Sequence, residues 1–65
     1  MKATADQLKD IETRMWDWAK WSAEAERAYD AWANSLTRER ADIILDGFYT
    51  GEDIAPKLWD EINKF

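Results

Sequence analysis

From Leu8 onward the apolar and small residues fall at Leu8, Ile11, Met15, Trp18, Ser22, Ala25, Tyr29, Trp32 and Leu36, alternately three and four apart without a slip. Such spacing keeps one stripe of a helix pointing the same way, turn after turn, as in a coiled-coil seam. Good helix formers fill the gaps, and no Gly or Pro occurs before residue 47. Thr4 and Gln7 have the spacing of a capping box, in which each side chain satisfies a backbone N–H at a helix start. The pattern therefore predicts one long helix over about residues 5–34.

Two shorter helices follow. Ser35 or Thr37 suits a new helix start, and Ala41, Ile44, Leu45 and Phe48, with Ile43 on the flank, define an apolar face for a helix over about residues 38–48. Gly47 and Gly51 bracket a turn, and Pro56 suits the first turn of a helix over about residues 54–64, whose stripe is Ile54, Leu58, Trp59, Ile62 and Phe65. The expected architecture for residues 1–65 is a single all-α domain. Its long N-terminal helix has two short helices folded back along it, with Ile44, Leu45, Phe48, Leu58 and Ile62 covering the seam.

Length sharpens that expectation. Thirty helical residues span roughly 45 Å, whereas a 65-residue domain has a diameter near 28 Å, about what a radius of gyration near 11 Å implies. Either the helix breaks, near Trp21-Ser22, or its overhang packs on another chain. The unbroken heptad favours the second outcome, and with it a homodimer formed through the long helix.

Composition narrows the functional classes. The chain contains neither His nor Cys, which removes the commonest general base, the strongest nucleophile and the usual transition-metal ligands. Neighbouring acids such as Glu52-Asp53 and Asp60-Glu61 read as solvated surface, the spacing matches no calcium loop, and no phosphate-binding glycine loop is present. No enzyme, metal or cofactor is expected. A net charge of −5 opposes direct binding to nucleic acid or to anionic membranes. The Met1-Lys2-Ala3 start precedes no apolar run, and no segment approaches the roughly 20 apolar residues of a membrane span, so a cytoplasmic protein is expected.

Aromatic content stands out instead: five Trp, two Tyr and two Phe in 65 residues. On a helix Trp16 and Trp18 lie some 160° apart and Trp21 about 60° from Trp18, so a narrow seam takes Trp18 and leaves the others outside. Exposed aromatic patches mark interaction sites, which makes Trp16 and Trp21 the expected anchors of a protein interface. Replacing both with Ala is then expected to abolish association while leaving helicity intact. Most charges pair locally at i,i+4, as in Asp10–Arg14, Lys20–Glu24, Arg38–Asp42, Lys57–Glu61 and Asp60–Lys64. The exception is Asp42, Asp46, Glu52 and Asp53, an acidic run beside Phe48 and Tyr49 that forms a second candidate docking patch.

Arg40-Ala41-Asp42-Ile43-Ile44, then Phe48-Tyr49, then Ile54-Ala55-Pro56-Lys57-Leu58-Trp59 resembles, with gaps, the end of the Hha and YmoA regulators over about 25 residues. The resemblance implies a modulator of a nucleoid-associated protein, and it does not reach the Trp-rich half. The residues themselves point to a small acidic module that binds a protein partner as a stoichiometric inhibitor or adaptor. The alternatives are a structural homo-oligomer, natural or designed, with no external partner, and an enzyme or small-ligand carrier that uses a Trp-lined pocket.

Overall fold

Among the described residues there are four helices, not three. The computed structural model describes residues 1–18 and 20–65, with α1 over Ala5–Trp18, α2 over Ala23–Ser35, α3 over Arg38–Tyr49 and α4 over Ala55–Lys64. No strand occurs among the described residues; the one isolated β-bridge joins Lys2 to Thr37.

The long helix expected over residues 5–34 is therefore two helices. Ala19, through which it would run, lies outside the described residues, and Lys20, Trp21 and Ser22 carry no helix. The cause is local. Ser22 is extended (φ −93°, ψ 169°) and its Oγ accepts the backbone N–H of Ala25 at 3.1 Å, the hydrogen bond of a helix N-cap, with Glu24 and Glu26 placed favourably in the first turn. Ser22 thus starts a helix rather than occupying the middle of one. The molecule measures 27 × 26 × 18 Å with a radius of gyration of 10.9 Å, so a rod of roughly 45 Å has been folded in half within its own chain. The overhang that argued for a coiled-coil homodimer disappears with it.

The heptad pattern nevertheless marks the core. Ile11 and Met15 of α1, and Ala25, Tyr29 and Trp32 of α2, are buried, as is Leu36 just beyond. Leu8 packs partly against them. Only Trp18 and Ser22, the two members flanking the break, are exposed. Folding the stripe back on itself lets α1 pack on α3 and α4, and α2 pack on α4. Ala41, Ile44 and Leu45 come in from α3, and Leu58 and Ile62 from α4. Phe48 is half-buried against this core, while Phe65, expected on the apolar stripe of the last helix, is exposed.

Caps set the other boundaries. Thr4 and Gln7 form the expected capping box: the Thr4 N–H donates to Gln7 Oε1 at 3.0 Å and the Gln7 N–H to Thr4 Oγ1 at 3.1 Å. Thr37 Oγ1 accepts the Arg40 N–H at 3.1 Å and so opens α3, whose first N–H, that of Arg38, reaches the carbonyl of Met1 at 2.9 Å. The N-terminal residues thus satisfy a helix start 37 positions away, a pairing with no local signature. Gly51, at φ 82°, closes α3: its N–H donates to the Phe48 carbonyl and that of Glu52 to the Gly47 carbonyl, a left-handed helix stop. Gly47 lies inside α3, as the expected span of 38–48 has it, and the turn it was expected to open begins only after Tyr49. A Cβ at Gly47 would meet Ile54 Cδ1 at 3.1 Å, so the glycine lets the start of α4 approach.

The break is testable at one atom. Ser22→Ala removes the cap and is expected to lower stability by about 1 kcal/mol in urea unfolding; in a continuous helix the same change would raise stability, since Ala is the better helix former.

Candidate protein interface at the tryptophan end

Stopping α1 at Trp18 and restarting at Ala23 brings Trp16, Trp18 and Trp21 into one cluster with Trp59, which is 38 residues beyond Trp21 in the sequence. Trp21, in the connection, is the hub. Its ring lies 5.4 Å from Trp16, 5.1 Å from Tyr29 and 5.4 Å from Trp59, centroid to centroid. The contacts with Tyr29 and Trp59 are edge-on, the arrangement that aromatic quadrupoles favour. Trp18 joins through Trp59 at 6.1 Å, and Tyr29 continues to Trp32 at 5.5 Å. This network, rather than the Trp18-centred seam expected, is how the chain accommodates its aromatic excess. Trp18 is 45% exposed and Trp16 51%, while Trp21 is only partly buried, packed against the core. The indole N–H of Trp21 is shut off from solvent and has no hydrogen-bond partner.

Two hollows flank Trp16. One of about 270 Å³ is lined by Glu12, Trp16, Trp21, Glu26, Tyr29 and Asp30; its neighbour, about 350 Å³, is lined by Glu12, Thr13, Trp16, Asp17 and Glu26. The i,i+4 spacing of Glu12 with Trp16 on α1, and of Glu26 with Asp30 on α2, presents these side chains toward the space between the two helices. Tyr29 forms the floor. Its hydroxyl donates to the Leu8 carbonyl at 2.7 Å, and burial pushes the phenol's pKa well above its ordinary value, with the Glu12 and Asp30 carboxylates adding to the rise.

On the other side of α1 the second candidate patch is organised differently from its sequence order. Glu52 and Asp53 border an open hollow with Trp18, Phe48 and Arg14. Asp42 lies away from them, accepting from Gln7 Nε2 at 2.6 Å, and Asp46 is exposed on α3. Arg14 supplies a base where the linear sequence has none. Its guanidinium lies 4.6 Å from the Tyr49 ring centroid and 5.8 Å from that of Phe48, while its Nε donates to Asp10 Oδ1 at 2.9 Å. The hydroxyl of Tyr49 donates to Asp10 Oδ2 at 3.0 Å. Phe48 and Tyr49 are thus largely engaged within the chain, although the Tyr49 ring stays exposed.

Of the charge pairs expected at i,i+4, Asp10–Arg14 and Asp60–Lys64 close at 2.9 Å. Glu61 instead bridges three helices, taking the indole N–H of Trp32 on Oε2 at 2.8 Å and Arg40 on Oε1 at 3.1 Å. Glu12, Glu26 and Asp30, which sequence reasoning passed over, take part in no ion pair among the described residues. One signal could have found two of them: Glu26 and Asp30 are like charges at i,i+4, a spacing that is mildly destabilising on a helix. No cluster of metal-ligating side chains occurs among the described residues, and no helix is long and apolar enough to cross a membrane.

Comparison with protein-family models, with curated proteins and with solved structures finds no match to this chain. The likeness to the Hha and YmoA regulators rests on its quoted residues alone.

Proposed function

We propose that this protein is a non-catalytic interaction module, an inhibitor or adaptor, that docks a protein partner through the tryptophan end. The observation that carries the reading is that Trp16 and Trp18, two large indoles held by packing on Trp21 and Trp59, each keep about half their surface in water. Rigid, half-exposed indoles offer large contact area at low entropic cost, and Trp is the residue type most enriched among interface hot spots. The absence of His and Cys from the sequence supports a binding role over a catalytic one.

The test compares the wild-type protein with a Trp16→Ala/Trp18→Ala variant as baits in the same cell extract, with quantitative mass spectrometry of what is retained. A specific partner depleted at least about tenfold by the variant, which corresponds to about 1.4 kcal/mol, is the expected result, with the helical circular dichroism of the two proteins equal. Identical retained sets overturn the reading. Self-association through the same indoles would appear as a solution mass that rises with concentration for the wild type and not for the variant, and would make the module a homo-oligomer.

A further inference from the structure

The chain already contains one filled arginine–aromatic–carboxylate arrangement. Arg14 lies over Tyr49 and Phe48 and is hydrogen-bonded to Asp10. On the opposite side of α1, the hollow beside Trp16 offers the same chemistry without a base. Trp16 and Trp21 line it together with Glu12, Glu26 and Asp30, and among the described residues no Lys or Arg lines either that hollow or the adjoining one, where Asp17 adds a further acid. A guanidinium suits such a place better than an ammonium does. It is planar, so it stacks on an indole, and its fork of N–H groups pairs with carboxylates at the ring's edge.

We propose that the hollow between α1 and α2 receives an arginine side chain from a basic segment of the partner protein, its guanidinium stacked on Trp16 and paired with Glu12 and Glu26. The inference rests on the reading of the tryptophan end as a protein-docking surface and specifies the partner's chemistry there. It also gives an opposite charge to Glu12, Glu26 and Asp30, which take part in no ion pair among the described residues.

The probe is an eight-residue peptide alternating Arg and Ala, capped at both ends, with a citrulline counterpart of the same shape and no charge. Each is titrated into the ¹⁵N-labelled protein at low salt while the indole N–H signals are followed. The arginine peptide should shift the Trp16 indole signal saturably, and the citrulline peptide should bind at least about tenfold more weakly. Trp16→Ala should weaken binding about fivefold, and Glu12→Gln/Glu26→Gln by a similar factor, with circular dichroism unchanged. Raising the salt from about 20 to about 200 mM should weaken it further, because exposed charges are screened.

Citrulline binding equal to arginine, or binding unaffected by Glu12→Gln/Glu26→Gln, overturns the inference. So does a shift confined to Glu52 and Asp53, which would mark unspecific attraction to acid. The failure of the docking reading itself looks different: the bait experiment loses no partner on removing Trp16 and Trp18, whatever a peptide does.

Discussion

Trp32→Ala is expected to leave the chain largely unfolded at 25 °C. Trp32 is 3% exposed, sits on the α2 face that packs against α4, stacks toward Tyr29, and spends its indole N–H on Glu61. Truncating a buried Trp to Ala costs about 3–5 kcal/mol, and a domain of this length has a total stability of only about 3–10 kcal/mol. The loss is therefore comparable with everything the fold has. The hydrogen bond makes a smaller, separable contribution. Trp32→Phe keeps an aromatic ring at the site and removes the donor to Glu61 with the rest of the pyrrole ring, so it should lose about 1–3 kcal/mol and remain folded. Urea unfolding followed by circular dichroism measures both. A Trp32→Ala protein within about 1 kcal/mol of wild type would mean that α2 does not pack on α4 through this ring.

The second large effect separates two tryptophans that the sequence treats as equivalent. Trp21→Ala removes the ring on which Trp16, Tyr29 and Trp59 all pack, and should cost about 2–4 kcal/mol, somewhat less than for a fully buried ring. Trp16→Ala takes away a half-exposed ring at the edge of the same cluster and should cost about 0.5–1 kcal/mol. Replacing both, as the linear pattern suggests, would unfold the surface it sets out to test, which is why Trp18 partners Trp16 in the binding variant. Trp21→Phe is the informative companion. The Trp21 N–H is enclosed without an acceptor, a state that costs free energy in itself, so losing that donor should offset much of the lost ring area and leave stability within about 1 kcal/mol of wild type. If Trp21→Ala proves as mild as Trp16→Ala, the hub is not a hub.

Both effects trace to the break between α1 and α2, which the sequence states ambiguously. Ser22 occupies a seam position and is also a good N-cap, and nothing local decides between those roles. A helix of about thirty residues saves one set of end costs, whereas two shorter ones leave orphan N–H and carbonyl groups at the new ends. Ser22 satisfies one of those donors; the rest of the compensation is not local. Folding in half lets Ile11 and Met15 meet Ile44, Leu45, Leu58 and Ile62 within a single chain, which a straight rod would have to leave in water or hand to a partner. Burial of apolar area favours the bent form.

The same logic places the acids. Glu12 on α1 and Glu26 and Asp30 on α2 are 14 and 18 residues apart in sequence and read as ordinary solvated faces, because their proximity exists only after the turn. Arg14 likewise is an i,i+4 partner of Asp10 in the sequence, and its second role, over Tyr49, depends on α3 lying against α1.

What the sequence by itself determined is whatever depends on neighbours within a turn or two. It set the all-helical class, the Thr4–Gln7 capping box, the ends of the last two helices to within a residue, and the inward face of the three-four stripe apart from Trp18 and Ser22. These follow from helix periodicity and from caps whose donors and acceptors are three residues apart. What only the tertiary structure decided is where the first helix stops, which tryptophans are covered, and which carboxylates share a hollow. Those outcomes compare the burial available within one folded chain against a straight helix, a sum over contacts between residues far apart in the sequence, and no local pattern contains that sum.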